Sequence, residues 1–130
     1  MVFLDTSALY ALADRADKNH RSAKDLFRKA FIGGKELWLH SYIIVETVAL
    51  IHHRLGYAPA KKFINDVSLF RVIWVDGSLH QAAADFFLRR AKSRVSFVDC
   101  VSFEFMRQRG IKAAFAFDDD FVKAGFQIYS

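Results

Sequence analysis

Asp5 follows directly on the apolar run Val2-Phe3-Leu4, and Asp118 follows directly on the apolar run Ala113 to Phe117. If both runs are strands of one sheet, the two carboxyls emerge at the same edge, beyond the strand ends. Glu46 lies on a helical stretch whose neighbours three and four positions away are Tyr42, Ile43, Ala49 and Leu50. An acid on so apolar a face needs compensation, because burying a lone carboxylate costs several kcal/mol. A metal ion would supply it, and so would a salt bridge to Arg54 or Lys61.

Asp99 stands in Ser96-Phe97-Val98-Asp99, which reads as a capping box at a helix start and also faces the same sheet edge. The two roles are compatible. In Asp118-Asp119-Asp120 three like charges adjoin, a costly run unless solvent or a cation relieves it. Asp119 and Asp120 read equally well as a solvated turn, and Asp118 is the one favoured for a site. Carboxylates converging without His or Cys partners suit a hard divalent ion, Mg²⁺ or Mn²⁺, and such an ion serves phosphodiester hydrolysis.

Other chemistries find less support. The five His residues show no zinc spacing, and a surface or capping role is expected for them. The single Cys100 lies in no nucleophile motif and reads as a core thiol. Asp76-Gly77 reads as a turn and Ser78 as a helix cap. The sequence contains neither a GxGxxG nor a P-loop motif, which removes the usual nucleotide cradles.

The elements that must position these acids are short apolar runs alternating with longer amphipathic ones, the pattern of βαβ units. Strands are expected at Val2 to Leu4, Leu37 to Leu39, Val72 to Val75, Ala113 to Phe117 and Gln127 to Tyr129. A short helix is expected after Asp5, then helices from about Asn19 to Ile32, from a Ser41 cap to about Arg54, from Pro59, from about Ser78 to Lys92, and from Ser96 to about Arg109. Gly33-Gly34, Gly56 and Gly110 mark helix ends. The expected fold class is α/β: a single three-layer α/β/α domain over residues 1–130 with a mainly parallel five-stranded sheet.

Composition sets the frame. Hydrophobic residues make up 53% of the chain and Pro occurs once, so the chain carries a core and little material for disorder. Nineteen Lys and Arg against fourteen Asp and Glu give a net charge of +5, which favours a polyanionic partner. One Cys forms no internal bridge, and the first apolar run stops at Asp5, so a cytoplasmic protein is expected. No apolar stretch approaches the roughly 20 residues of a membrane span.

Four segments, Asp5-Thr6-Ser7-Ala8-Leu9, His40 to Thr47, Ser96 to Cys100 and Phe115 to Phe121 with Ala124-Gly125-Phe126, resemble the PIN-domain ribonucleases in order and spacing. The resemblance covers almost the whole chain and is nearest to the VapC-type toxins of prokaryotic toxin/antitoxin operons. It implies that Asp5, Glu46 and Asp99, with Asp118 as fourth, bind Mg²⁺ or Mn²⁺ and cleave RNA, with Thr6, Ser7 and Ser96 lining the site. It also implies a homodimer and a cognate antitoxin. One departure is Asp120, since relatives often carry His there; an acid at that position adds a further ligand candidate.

Three other readings fit the residues less well. A haloacid-dehalogenase-type phosphatase needs a second Asp where Ser7 stands, and a receiver domain needs paired acids where Asp5-Thr6 stands. The serious rival is a PIN-like module that binds RNA or protein without cutting.

Overall fold

The computed structural model describes residues 1–130. Five strands, β1 (Val2–Leu4), β2 (Leu37–His40), β3 (Arg71–Ile73), β4 (Ala113–Phe115) and β5 (Gln127–Ile128), form one sheet in the order β3-β2-β1-β4-β5. Every pairing is parallel, with Phe3 beside both Trp38 and Ala114 and Leu4 beside Phe115. The strands expected to reach Val75, Phe117 and Tyr129 are each cut short. At β4 the cause is visible: the Phe117 amide bonds the Ser7 hydroxyl instead of a neighbouring strand.

Seven α-helices fill the connections: α1 (Thr6–Ala13), α2 (His20–Ile32), α3 (Ser41–Leu55), α4 (Tyr57–Asp66), α5 (Gly77–Leu88), α6 (Phe97–Arg109) and α7 (Asp120–Lys123). Right-handed crossovers put the helices that lead outward to β3 on one face and those that lead back to β4 and β5 on the other. Accordingly α1 packs on α2 and α3, α3 on α4, and α5 on α6. The sheet is thus covered twice, which is why its strands are apolar on both faces. Phe115 meets Phe27 of α2 at 5.0 Å between ring centroids, while Phe3 points the other way, to Phe105 of α6 and Phe121 of α7 at 5.9 Å each.

Several helix boundaries differ from expectation, and α4 begins at Tyr57 rather than at Pro59. The cap of α3 is His40, whose ring nitrogen Nδ1 accepts the Ile43 amide at 3.4 Å. Ser41 is instead the first helical residue and accepts the Val75 amide at 2.9 Å, tying α3 to the chain beyond β3. For α5 the cap is Asp76, which accepts the Leu79 amide at 2.8 Å, so Ser78 lies inside the helix. That helix also stops at Leu88, short of Lys92. Pro59 falls in the first turn of α4, where its missing N–H costs nothing. Gly110 ends α6 at φ 68°, a conformation that glycine adopts without strain.

Candidate active site

Asp5 is the N-cap of α1, one residue beyond β1. Its Oδ2 accepts the Ser7 amide at 3.1 Å and the Ser7 hydroxyl at 2.6 Å. The same hydroxyl accepts the Phe117 amide at 3.1 Å. One side chain therefore joins the end of β1 to the segment that leads into Asp118, although the two are far apart in sequence. Asp5 is only 4% exposed, and burial is the first cause of a carboxyl pushed up to about 7, reinforced by the charges of Asp118 and Asp99.

Asp99 lies in the first turn of α6, where the Ser96 hydroxyl caps the helix by accepting the Asp99 amide at 3.1 Å. The capping role expected of Ser96 is therefore realised, and it sets the direction from which Asp99 enters. Burial, then Asp118 and Asp120, raise the Asp99 carboxyl to about 6. Asp118 is raised too, first by burial, and its charge in turn raises Asp5. Three acids thus converge from the ends of β1 and β4 and the start of α6.

The run after β4 separates into three roles. Asp118 is exposed and accepts the Asp120 amide at 3.1 Å, Asp119 pairs with Lys123 at 3.1 Å, and Asp120 opens α7 close enough to raise Asp99. Glu46 stands apart from the trio on α3, half-buried, and forms no ion pair. Neither Arg54 nor Lys61 takes it; Arg54 lies over the Tyr10 ring at 5.2 Å. The next residue, Thr47, is buried and donates to the Thr6 hydroxyl at 3.3 Å, which fixes Glu46's turn of α3 against the start of α1.

None of the four salt bridges in the chain involves Asp5, Glu46, Asp99 or Asp118. The acids are left to repel one another, a state that a cation or bound protons must relieve. As the side chains lie, no three or more His, Cys, Asp or Glu groups stand together closely enough to hold a metal ion. The groups that approach one another here are all carboxylates, and an all-oxygen donor set suits Mg²⁺ or Mn²⁺, which keep part of their water, better than zinc.

His40 takes the capping role expected of a histidine here, but from inside the core rather than at the surface. It is wholly enclosed, stacked on Phe3 at 5.7 Å, with Nε2 2.9 Å from the Ser102 hydroxyl. With Nδ1 accepting the Ile43 amide, Nε2 carries the proton and donates to Ser102, which donates on to the Val98 carbonyl at 3.1 Å. The chain of bonds ties the start of α3 to the first turns of α6. Its only sequence signal was a His ending an apolar strand. Cys100 is buried, as expected of a core thiol.

A parallel three-layer sheet with an acidic pocket beyond its strand ends defines the class of protein. A family model described as PIN domain matches residues 2–127. The chain belongs to the PIN-domain family of ribonucleases. It is 35% identical over 128 residues to the 23S rRNA-specific endonuclease VapC20 of Mycobacterium tuberculosis, with the same figures in strains CDC 1551 / Oshkosh and H37Rv. The match covers 97% of this chain and 95% of that relative. The crystal structure of M. tuberculosis VapC20, described as a sarcin-ricin loop cleaving toxin, superposes with a TM-score of 0.87 at 34% identity, covering 97% of this chain and 96% of that one. FitAcB from Neisseria gonorrhoeae shares the fold, with a TM-score of 0.63 at 14% identity over 100% of this chain and 97% of its own.

Proposed function

We propose that this chain is a divalent-metal-dependent endoribonuclease that acts as the toxin of a toxin/antitoxin pair, with the sarcin-ricin loop of 23S rRNA as its target. The observation that carries the reading is the convergence of Asp5, Asp99 and Asp118, unpaired and raised, at the strand ends. The target rests on the near-complete match to VapC20. Mg²⁺, or Mn²⁺ in its place, would be held by Asp5, Asp99 and Asp118; Glu46, which stands apart from them on α3, would join the set only by reaching across from that helix. When bound, such an ion neutralises charge that develops on the scissile phosphate and lowers the pKa of water at the site.

The chain's own residues do the rest. Ser7 opposes the effect of burial on the Asp5 carboxyl and holds it in place by two hydrogen bonds. Thr6 and Thr47 lock α1 to α3, and Ser96 sets the turn that presents Asp99. Asp120, near Asp99, is an auxiliary acid of the same pocket. The partners in this reading are RNA, a cognate antitoxin and a second copy of the chain, and its compartment is the cytoplasm. No helix is long and apolar enough to cross a membrane.

The test is cleavage of a sarcin-ricin stem-loop RNA by wild type and by Asp5→Asn, in Mn²⁺ and in EDTA. Cleavage by wild type alone, abolished by EDTA, is the expected result. If wild type and variant behave alike, the chain is a PIN-fold binding module and the catalytic assignment is withdrawn.

A further inference from the structure

An acidic pocket repels the polyanion it is meant to cut, so affinity for RNA has to come from cations placed near it. The connection between α5 and α6 holds four cations in six residues, Arg89, Arg90, Lys92 and Arg94, and runs directly into Ser96 and Asp99. Two of these arginines meet a third from α6 on one aromatic ring. The guanidinium carbons of Arg89, Arg90 and Arg107 lie 6.0, 4.9 and 5.2 Å from the Phe86 ring centroid. Arg107 is also 5.8 Å from the Phe126 ring.

Such a group is poorly compensated within the protein. Glu104 takes Arg107 at 3.2 Å, but neither Arg89 nor Arg90 forms an ion pair. The nearby Asp85 carboxylate is occupied by the Gln81 amide at 3.0 Å. The face of an aromatic ring attracts a guanidinium, which offsets part of the arginines' mutual repulsion. Arg89 and Arg90, without carboxylate partners, keep N–H donors free, and a guanidinium fork binds phosphate oxygens in pairs. The cluster lies against the start of α6: Phe87, next to Phe86, meets the ring of Phe97, two residues before Asp99, at 5.8 Å.

We infer that Arg89, Arg90 and Arg107, gathered on Phe86, form a phosphate subsite that grips the RNA backbone on the α5–α6 side of the acidic pocket. The inference rests on the endoribonuclease reading for its ligand, and it assigns to three named residues the binding that the carboxylates cannot supply.

The experiment is anisotropy of a fluorescein-labelled sarcin-ricin stem-loop in EDTA, titrated across KCl concentrations. It compares wild type, the triple variant Arg89→Gln/Arg90→Gln/Arg107→Gln, and a control of equal charge change on exposed positions of α2, Arg21→Gln/Lys24→Gln/Arg28→Gln. Neutralising three phosphate contacts should weaken binding about 10- to 100-fold and lower the slope of log Kd against log [KCl] by about 2. The control should do neither to that extent. Equal effects from both variants would reduce the finding to net charge, and no effect from the cluster variant would overturn it; either result ends the subsite.

A second variant, Arg89→Lys/Arg90→Lys, keeps the charge and loses the fork, and is expected to bind at an intermediate affinity. If the triple variant unfolds, Arg89→Gln/Arg90→Gln, which breaks no ion pair, carries the test with a slope change of about 1.4. Cleavage in Mn²⁺ is run beside it. Wild type that binds but does not cut removes the nuclease reading and leaves the subsite standing. Wild type that cuts while the cluster variant binds like wild type removes the subsite alone.

Discussion

The Ser7 hydroxyl donates to Asp5 at 2.6 Å while accepting the amide of Phe117 at 3.1 Å, so one small side chain couples a buried acid to the end of another strand. Removing it has two consequences. Ser7→Ala takes away hydrogen bonding that lowers the Asp5 carboxyl, so Asp5 rises further and the ascending limb of the pH–rate profile moves to higher pH. It also frees the Asp118 segment. A loss of about tenfold in kcat is expected at pH 7, recovering at higher pH, with Ser7→Thr milder, as read from pH profiles of cleavage.

Asp5→Asn separates stability from activity. Cleavage should fall by about 10³-fold or more, as expected when an acid central to the reaction is lost. The apo protein should nevertheless melt about 2–5 °C higher at neutral pH, because the repulsion among Asp5, Asp99 and Asp118 is relieved. Mn²⁺ should raise the melting temperature of wild type and leave that of the variant unchanged. Differential scanning calorimetry with and without Mn²⁺ reads both.

Proton and metal compete for the same pocket. Asp5 at about 7 and Asp99 at about 6 both lie above their unfolded value of 3.8, so the folded state binds protons more tightly than the unfolded chain. The stability these two acids contribute is present below pH 3.8 and is lost as pH rises through about 6 and 7. Mn²⁺ affinity should run the other way, rising between pH 5.5 and 7.5 by about tenfold for each unit over which one proton is displaced. Calorimetric titration in buffers of different ionisation enthalpy counts the protons released.

His40 titrates with the opposite consequence. Burial holds its ring at about 3, below the ordinary 6.5, so the unfolded chain takes up a proton that the folded protein refuses. The stability this provides is complete above pH 6.5 and drains away as pH falls toward 3. His40→Phe should cost about 1–3 kcal/mol at pH 7 through the lost Ser102 and Ile43 bonds, and should flatten the decline between pH 6.5 and 4. Urea denaturation at pH 7 and pH 5 gives both numbers.

Much of this protein was already written along the chain. Alternating apolar and amphipathic runs specify a parallel sheet, because the hydrophobic period of each segment is a local property. Asp5 and Asp118, each directly beyond an apolar strand, and Ser96 with Asp99 at a helix start, are likewise local patterns, and the structure brings Asp5, Asp99 and Asp118 together. What the tertiary structure alone decided concerns partners distant in sequence. Ser41 is drawn from capping α3 to bonding Val75, leaving the cap to His40. Asp118 is set apart from Asp119 and Asp120 only because Asp5 stands beside it while Lys123 claims Asp119. The grouping of Arg89 and Arg90 with Arg107 depends on how α5 lies against α6. Hydrophobic periodicity says which face of an element is buried; it carries no information about which polar side chain the packing will bring opposite, and that pairing sets the charge state of a buried group.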